Sequence, residues 1–210
     1  MNKLSGVAAE ARLAEAWEKV FSRDPATQQI VHVLTQPTEY PIWLSNFSPF
    51  TAWMQNGCEA NDEVWRTFAE IAISWPYVHN ARRANAAGIG NIRIFVVRRI
   101  EWESSPPWLQ YLGEVHLPAI AALASETFYR VWVEDCRESG LKDRDYDVNL
   151  WGADGIMLAG YQNGDVGWRA FLADDRNPDR YRKEHEFIIS MRDFASMRGE
   201  LVKLPTELQP

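Results

Sequence analysis

Two turn dipeptides constrain this chain more than any other feature in it. Asp154-Gly155 and Asn163-Gly164 separate three short apolar runs, YDVNLWG, GIMLAGYQ and VGWRAFLA. Asp-Gly and Asn-Gly supply the two consecutive positive-φ positions of a type I′ turn, whose twist matches that of the strands it joins. Residues 146–173 therefore predict a three-stranded antiparallel meander. What stands before and after it decides the class of the fold.

Upstream, strands alternate with helices. Residues 7–22 are rich in helix formers and place Leu13, Trp17, Val20 and Phe21 on one face, an amphipathic helix. The β-branched run at 28–36 predicts a strand. Apolar residues at helical spacing after it, up to Asn56-Gly57, predict a helix that Pro49 weakens. Residues 60–88 open on Asn61, a good cap, and predict a second helix that Pro76 kinks or divides. The run NIRIFVVRRIEW predicts a strand over 91–102. Residues 106–126 suggest helical pieces, and 127–136 alternate as a strand. A charged loop leads into the meander. Residues 177–198 start on Asn-Pro and predict a helix with Tyr181, His185, Ile188, Ile189 and Arg192 along one side. The expected class is α/β: a single mixed sheet with flanking helices, a C-terminal antiparallel meander and a final helix. Residues 1–200 are read as one domain, with 1–25 as its N-terminal helix and 201–210 as a flexible tail.

Composition narrows the function classes. With 210 residues, 46% hydrophobic, the chain can bury a real core. A net charge of −7 disfavours nonspecific nucleic-acid binding, whose affinity comes from Lys and Arg on phosphates. No apolar run reaches the 18 or so residues of a membrane span, and the first residues carry charges where a signal peptide needs an apolar stretch. A cytoplasmic location is expected, without membrane contact. Cys58 and Cys136 stand alone and suggest neither a disulfide framework nor a zinc site. Ten tryptophans are many, and most are expected in the core, with one or two lining a cleft or interface.

The stretch NARRANAAGI followed by NIRIFVVRR resembles a helix-to-strand segment common in phospholipase D-like domains. Downstream, that superfamily carries His-x-Lys-x4-Asp, with Gly soon after the Asp and then Gly-Ser and Asn. Here Asp147, Val148, Asn149, four residues, Asp154 and Gly155 follow the same spacing, and Gly160, Tyr161 and Asn163 come after. The resemblance puts Asp147 at the position of the nucleophilic His and Asn149 at that of the phosphate-binding Lys. In the family, the imidazole attacks phosphorus and the Lys stabilises phosphoryl charge. A carboxylate facing an anionic diester repels it instead. His32, His79, His116 and His185 all lack a Lys two residues on. The layout also resembles an uncharacterised bacterial family found beside helix-turn-helix regulators, whose members look like inactive relatives of that fold. About a third of the chain, 78–101 and 145–198, carries the likeness.

The resemblance implies one phospholipase D-like half with a degenerate site. Active members usually combine two halves, so it implies a homodimer. The expected function is a non-enzymatic domain that binds a small ligand or a partner protein in bacterial regulation. Candidate ligand residues are Asp147, Asn149, Asp154, Tyr161 and Asn163, with Arg82 and Arg83 near the helix-to-strand junction. No cofactor or metal is expected: Glu184, His185 and Glu186 lack a further ligand at zinc spacing, and Asp143, Asp145 and Asp147 lack the rest of an EF-hand loop. Two alternatives stand. One is a diverged phosphodiesterase or nuclease using Asp147 and Asp154 with a metal ion or His185. The other is a structural or phage-encoded interaction protein. A plainer reading of the same residues also holds: Asp154-Gly155 as turn chemistry alone, Asp147 as a solvent-facing strand residue, and Glu184, His185 and Glu186 as a charged helix face.

Overall fold

The computed structural model describes residues 6–35, 76–104, 109–110, 112–144, 146–153, 155–162, 165–172 and 178–203. The helix expected before Asn56-Gly57, the 60–75 part of the following helix, and Cys58 lie outside these residues. The described elements are α1 (Gly6–Phe21), β1 (Gln29–Leu34), α2 (Pro76–Ala86), β2 (Gly90–Val97), α3 (Arg99–Ser104), a π-helical turn (Leu112–His116), α4 (Leu117–Leu123), β3 (Thr127–Trp132), α5 (Val133–Glu138), β4 (Asp147–Trp151), β5 (Gly155–Gln162), β6 (Asp165–Leu172), α6 (Pro178–Arg198) and β7 (Glu200–Leu201).

All seven strands form one mixed sheet in the order β6-β5-β4-β1-β2-β3-β7. The β1–β2 and β2–β3 pairs are parallel, as crossover connections through helices require, and the other four pairs are antiparallel. The meander β4-β5-β6 adds on the far side of β1, so β1 lies centrally, with a parallel neighbour on one side and an antiparallel one on the other.

The two faces differ in chemistry. Side chains alternate along a strand, so residues two apart share a face. One face presents Val31, Val33, Ile94, Val96, Val131, Val148, Leu150, Ile156 and Leu158, and α6 covers it with Phe187, Ile188, Met191, Phe194 and Ala195. At about 1.5 Å per residue, α6 is about 31 Å long. Six strand spacings of about 4.8 Å come to nearly the same length. One helix therefore suffices to cross the apolar face, and it delivers the chain to the opposite edge, where β7 joins β3. The other face carries Ile30, Ile89 and Trp151 under Ala16, Trp17 and Val20 of α1 and Ala81 and Ala84 of α2. Polar residues interrupt this second face, and they form the candidate site.

Two predicted strands are shorter than expected, for one shared reason. Val97 and Trp132 are the last paired residues of β2 and β3. Beyond that line both chains coil into short helices, so Arg99–Ser104 and Val133–Glu138 are helical rather than extended. The helices hold each other: Arg99 N–H donates to Glu134 Oε2 at 3.2 Å, and Arg99 Nη2 donates to both Asp135 oxygens at 2.9 Å. Alternation of apolar residues continued past the strand ends, but the pairing partners stopped. Arg93, Arg98 and Arg99 consequently do not share one strand. Leu201, expected in the tail, belongs to β7 opposite Tyr129, and Val202 N–H reaches Phe128 O at 3.2 Å.

The β4–β5 turn also corrects the sequence reading. Among the described residues of the turn the left-handed one is Gly152, with φ +66°, while Gly155 is the first residue of β5, paired with Trp151. A Cβ on Gly152 would fall 2.3 Å from Gln28 Oε1, and one on Gly155 would fall 2.9 Å from the Ala16 methyl. Gly155 is therefore needed for the close approach of α1, not for a positive φ.

Burial separates positions on α6. Ile188 is fully enclosed and Met197 is 77% exposed. Ile188→Ala is expected to cost about 3 kcal/mol in denaturant unfolding, from lost transfer energy and a residual cavity. Met197→Ala is expected to stay within about 0.5 kcal/mol. Equal effects would show that α6 does not seat this way.

Candidate functional site

Three polar side chains lie side by side across the centre of the second face. His32 of β1 is in register with Asn149 of β4 and with Arg93 of β2. All three are buried. The strand alternation that puts valines and isoleucines under α6 puts this row under α2.

The row is wired into a chain of hydrogen bonds. Asn149 Oδ1 lies 2.7 Å from His32 Nδ1. An amide oxygen only accepts, so Nδ1 carries the imidazole proton. His32 Nε2 is then an acceptor, and the Tyr77 hydroxyl of α2 donates to it at 2.8 Å. The hydroxyl oxygen in turn accepts from Arg93 Nη2 at 2.9 Å. Arg93 Nε donates to Glu126 Oε2 at 2.7 Å, just before β3. The result is a directed path, Glu126 ← Arg93 → Tyr77 → His32 → Asn149, in which each atom is used as its chemistry allows. Tyr77 and Trp151 pack edge-on against the His32 ring, with centroids 5.2 and 5.4 Å away.

Burial sets the charge states. His32 is held down to about 3 by desolvation, then by the Arg93 charge, against a smaller upward pull from Asn149. His116, at the end of the π-helical turn, is also held down to about 3 by burial and then by Arg93. Both imidazoles are neutral near pH 7. Burial pushes the Glu126 carboxyl well upward. Arg93 carries its charge at every working pH, and Glu126, in direct contact with its guanidinium, also lies 3.5 Å from His32 Nε2. The cluster thus contains the Arg93–Glu126 contact and two neutral imidazoles.

Asp147 lies on the same face but does different work. It is buried, not solvent-facing, and its Oδ1 accepts from the Thr35 backbone N–H at 2.7 Å. Thr35 Oγ1 donates to Tyr146 O at 2.7 Å. These bonds tie the end of β1 to the start of β4. Asp147 and Asn149 therefore share a face, as their spacing implies, yet each is already engaged.

The other predicted residues do not join them. Arg82 and Arg83 are exposed on α2, with the Arg83 guanidinium 3.9 Å over the Phe21 ring. Tyr161 is paired with Val166 in β5. Asp154 and Asn163 lie outside the described residues. His185 sits on α6, on the opposite side of the sheet from Asp147, stacked on Tyr181. Glu184 is not part of a charged surface: it is buried and takes the Tyr146 hydroxyl at 2.8 Å and Arg180 at 2.8 Å. Cys136 is buried in the α6-side core, which pushes its thiol up to about 12. Among the described residues no group of three or more His, Cys, Asp or Glu is placed to hold a metal ion, and no helix is long and apolar enough to cross a membrane.

Sequence reasoning missed His32, Tyr77, Arg93 and Glu126 as a unit. A signal was present: a strand buried on both faces should read as a near-continuous apolar run, yet QIVHVL and NIRIFVV each contain one polar residue in mid-run. No family model, curated protein or solved structure matches this chain.

The lowered His32 value has a consequence for stability. In the unfolded chain the imidazole titrates near 6.5, in the folded one near 3. As pH falls below 6.5 the unfolded state takes up the proton first, so this stability is complete above about 6.5 and is lost progressively toward about 3. Between pH 7 and pH 5 the loss from one such histidine is about 2 kcal/mol. Glu126, shifted upward, changes stability in the opposite direction over its own range. Denaturant unfolding of His32→Gln at both pH values is therefore expected to show a pH 7-to-5 loss about 2 kcal/mol smaller than wild type. An unchanged difference would mean that His32 is not buried neutral.

Proposed function

We propose that this chain is a non-catalytic ligand-binding or partner-binding domain of bacterial regulation, built on a phospholipase D-like half whose reactive positions have been reassigned. The observation that carries the reading is the engagement of Asp147. Under the resemblance it occupies the position of the attacking imidazole, and here its carboxylate is occupied by the Thr35 N–H between two strand ends. Asn149, at the lysine position, presents its oxygen to His32. An amide oxygen cannot neutralise a phosphoryl group as an ammonium would. A mixed sheet with a C-terminal meander suits the phospholipase D-like layout. The phosphodiesterase alternative that recruits His185 is disfavoured, because α6 lies across the sheet from Asp147.

A panel of phosphodiester substrates tests this reading. Wild-type protein is expected to hydrolyse none of them, with or without divalent cations. Asp147→Ala is expected to lower stability by about 2 kcal/mol, since a buried N–H loses a charged acceptor. Hydrolysis by wild type that Asp147→Ala abolishes in a folded protein would overturn the reading. The pairing of halves in active relatives of this layout adds a homodimer to the proposal. Light scattering at micromolar concentration is expected to give twice the chain mass, and a strict monomer removes that part.

A further inference from the structure

The β3 edge of the sheet carries a second polar cluster, separate from the His32 row. Arg130 and Trp132 lie two apart on β3 and so share a face. The Arg130 guanidinium packs against two indoles, 4.5 Å from the Trp102 ring centre and 5.1 Å from that of Trp132. The indoles meet edge-on, with centroids 6.1 Å apart. Trp102 is pinned in turn by the π-helical turn, where a Cβ on Gly113 would fall 2.8 Å from its ring. This packing orients the guanidinium before any acceptor arrives. Three donors then converge on one carboxylate. Arg130 Nε and Nη2 donate to Glu200 Oε2 at 3.0 and 2.6 Å, and Trp132 Nε1 donates to Glu200 Oε1 at 2.9 Å.

The receptor is better built than its occupant. The Arg130 side chain is 16% exposed and that of Glu200 is 47% exposed. Glu200 stands on β7, a strand of two residues, both exposed. A single residue, Gly199, links β7 to α6, and past it the Val202 N–H holds Phe128 O at 3.2 Å. An exposed ion pair adds little to stability. Pre-oriented Trp and Arg side chains are instead where the binding energy of interfaces concentrates.

We propose that the β3 edge is a docking site for an extended acidic segment of a partner protein, and that β7 is its built-in competitor. The segment adds a strand beside β3 through main-chain hydrogen bonds, and its carboxylate takes the three donors of Arg130 and Trp132. β7 shows the fit, because it does both things within the chain: it pairs antiparallel with Tyr129 and Arg130 and sets a carboxylate opposite Arg130. Charge selects an acidic partner. With Glu200 withdrawn, Arg130 keeps only the looser ion pair of its Nη1 with Glu114, at 3.5 Å and without a hydrogen bond, among the described residues. A second copy of the chain is a poorer occupant, since its β7 follows one residue after an α6 packed on its own sheet. The inference uses neither Asp147 nor the phospholipase D-like reading and stands apart from both.

Binding of a labelled peptide to the whole chain, followed by fluorescence anisotropy, tests this. The probe is Gly-Glu-Leu-Val-Lys, the sequence of residues 199–203 with both ends blocked, and its control carries Gln for Glu. Glu200→Gln combined with Val202→Pro takes away the competing carboxylate and the bond to Phe128. This released chain is expected to bind the Glu peptide at least about tenfold more tightly than wild type does, and more tightly than the Gln peptide by a similar factor. Adding Arg130→Lys, which keeps the charge without the two-pronged donor, is expected to remove that discrimination. Should the double variant not fold, Val202→Pro alone serves for the same comparisons. No saturable binding to the released chain, equal binding by wild type, or indifference to the charge of the peptide overturns the inference. So does a rise in mass over wild type by light scattering, with the released chain pairing with itself in place of taking the peptide.

Discussion

The hydrogen bond between His32 and Asn149 joins the two halves of this fold. β1 and β3 each have a parallel partner on one side and an antiparallel partner on the other, but β1 is the one that joins the parallel strands to the meander. The parallel part is built by crossovers, the antiparallel part by hairpins, and they meet at the β1–β4 seam. His32 lies on that seam with Asn149 beside it and Arg93 on its other flank. Its second nitrogen reaches Tyr77, which fixes α2 over the sheet. A slip of one residue in the β1–β4 register would turn Asn149 to the α6 side and leave a buried imidazole without its acceptor. The polar row therefore specifies register where apolar packing alone would be permissive.

Such a row is costly unless every member is satisfied. Breaking a buried ion pair by removing one partner typically costs about 3–5 kcal/mol, because the other charge is left behind. Here Arg93 is shared between Glu126 and Tyr77, and no atom of His32 is wasted. Asn91 of β2, buried without a hydrogen-bond partner for its side chain among the described residues, departs from that economy one step along the same face. The α6 side, by comparison, is apolar throughout its cluster, and buried Glu184 there is held by Tyr146, Arg180 and Arg144 at the rim.

Much of the architecture was legible because it is written in local pattern. The turn dipeptides located the meander, and the spacing of Leu13, Trp17 and Val20 located the packed face of α1. Strand ends were less legible. Ile100 and Trp102 continue the alternation of β2, yet β2 ends where β3 does, and pairing is not a local property. The site was the least legible part. His32, Arg93 and Asn149 come from three strands far apart in sequence, and their adjacency exists only in the register of the sheet. Glu126 sits in an ordinary-looking turn, Ser125-Glu126, and Tyr77 follows a proline expected only to kink a helix. The sequence did place Asp147 and Asn149 together on a strand. It did not show that one closes a strand end and the other holds an imidazole.

The protonation state of His32 tests the account at its centre. Nitrogen chemical shifts of the imidazole, followed from pH 8 to pH 5, read both the tautomer and its titration. The account predicts a neutral ring protonated on Nδ1 throughout that range, with no inflection. A titration centred near 6.5, or a proton resident on Nε2, would contradict it: the first would open the ring to water, and the second would break its bonds to Asn149 and Tyr77 as drawn.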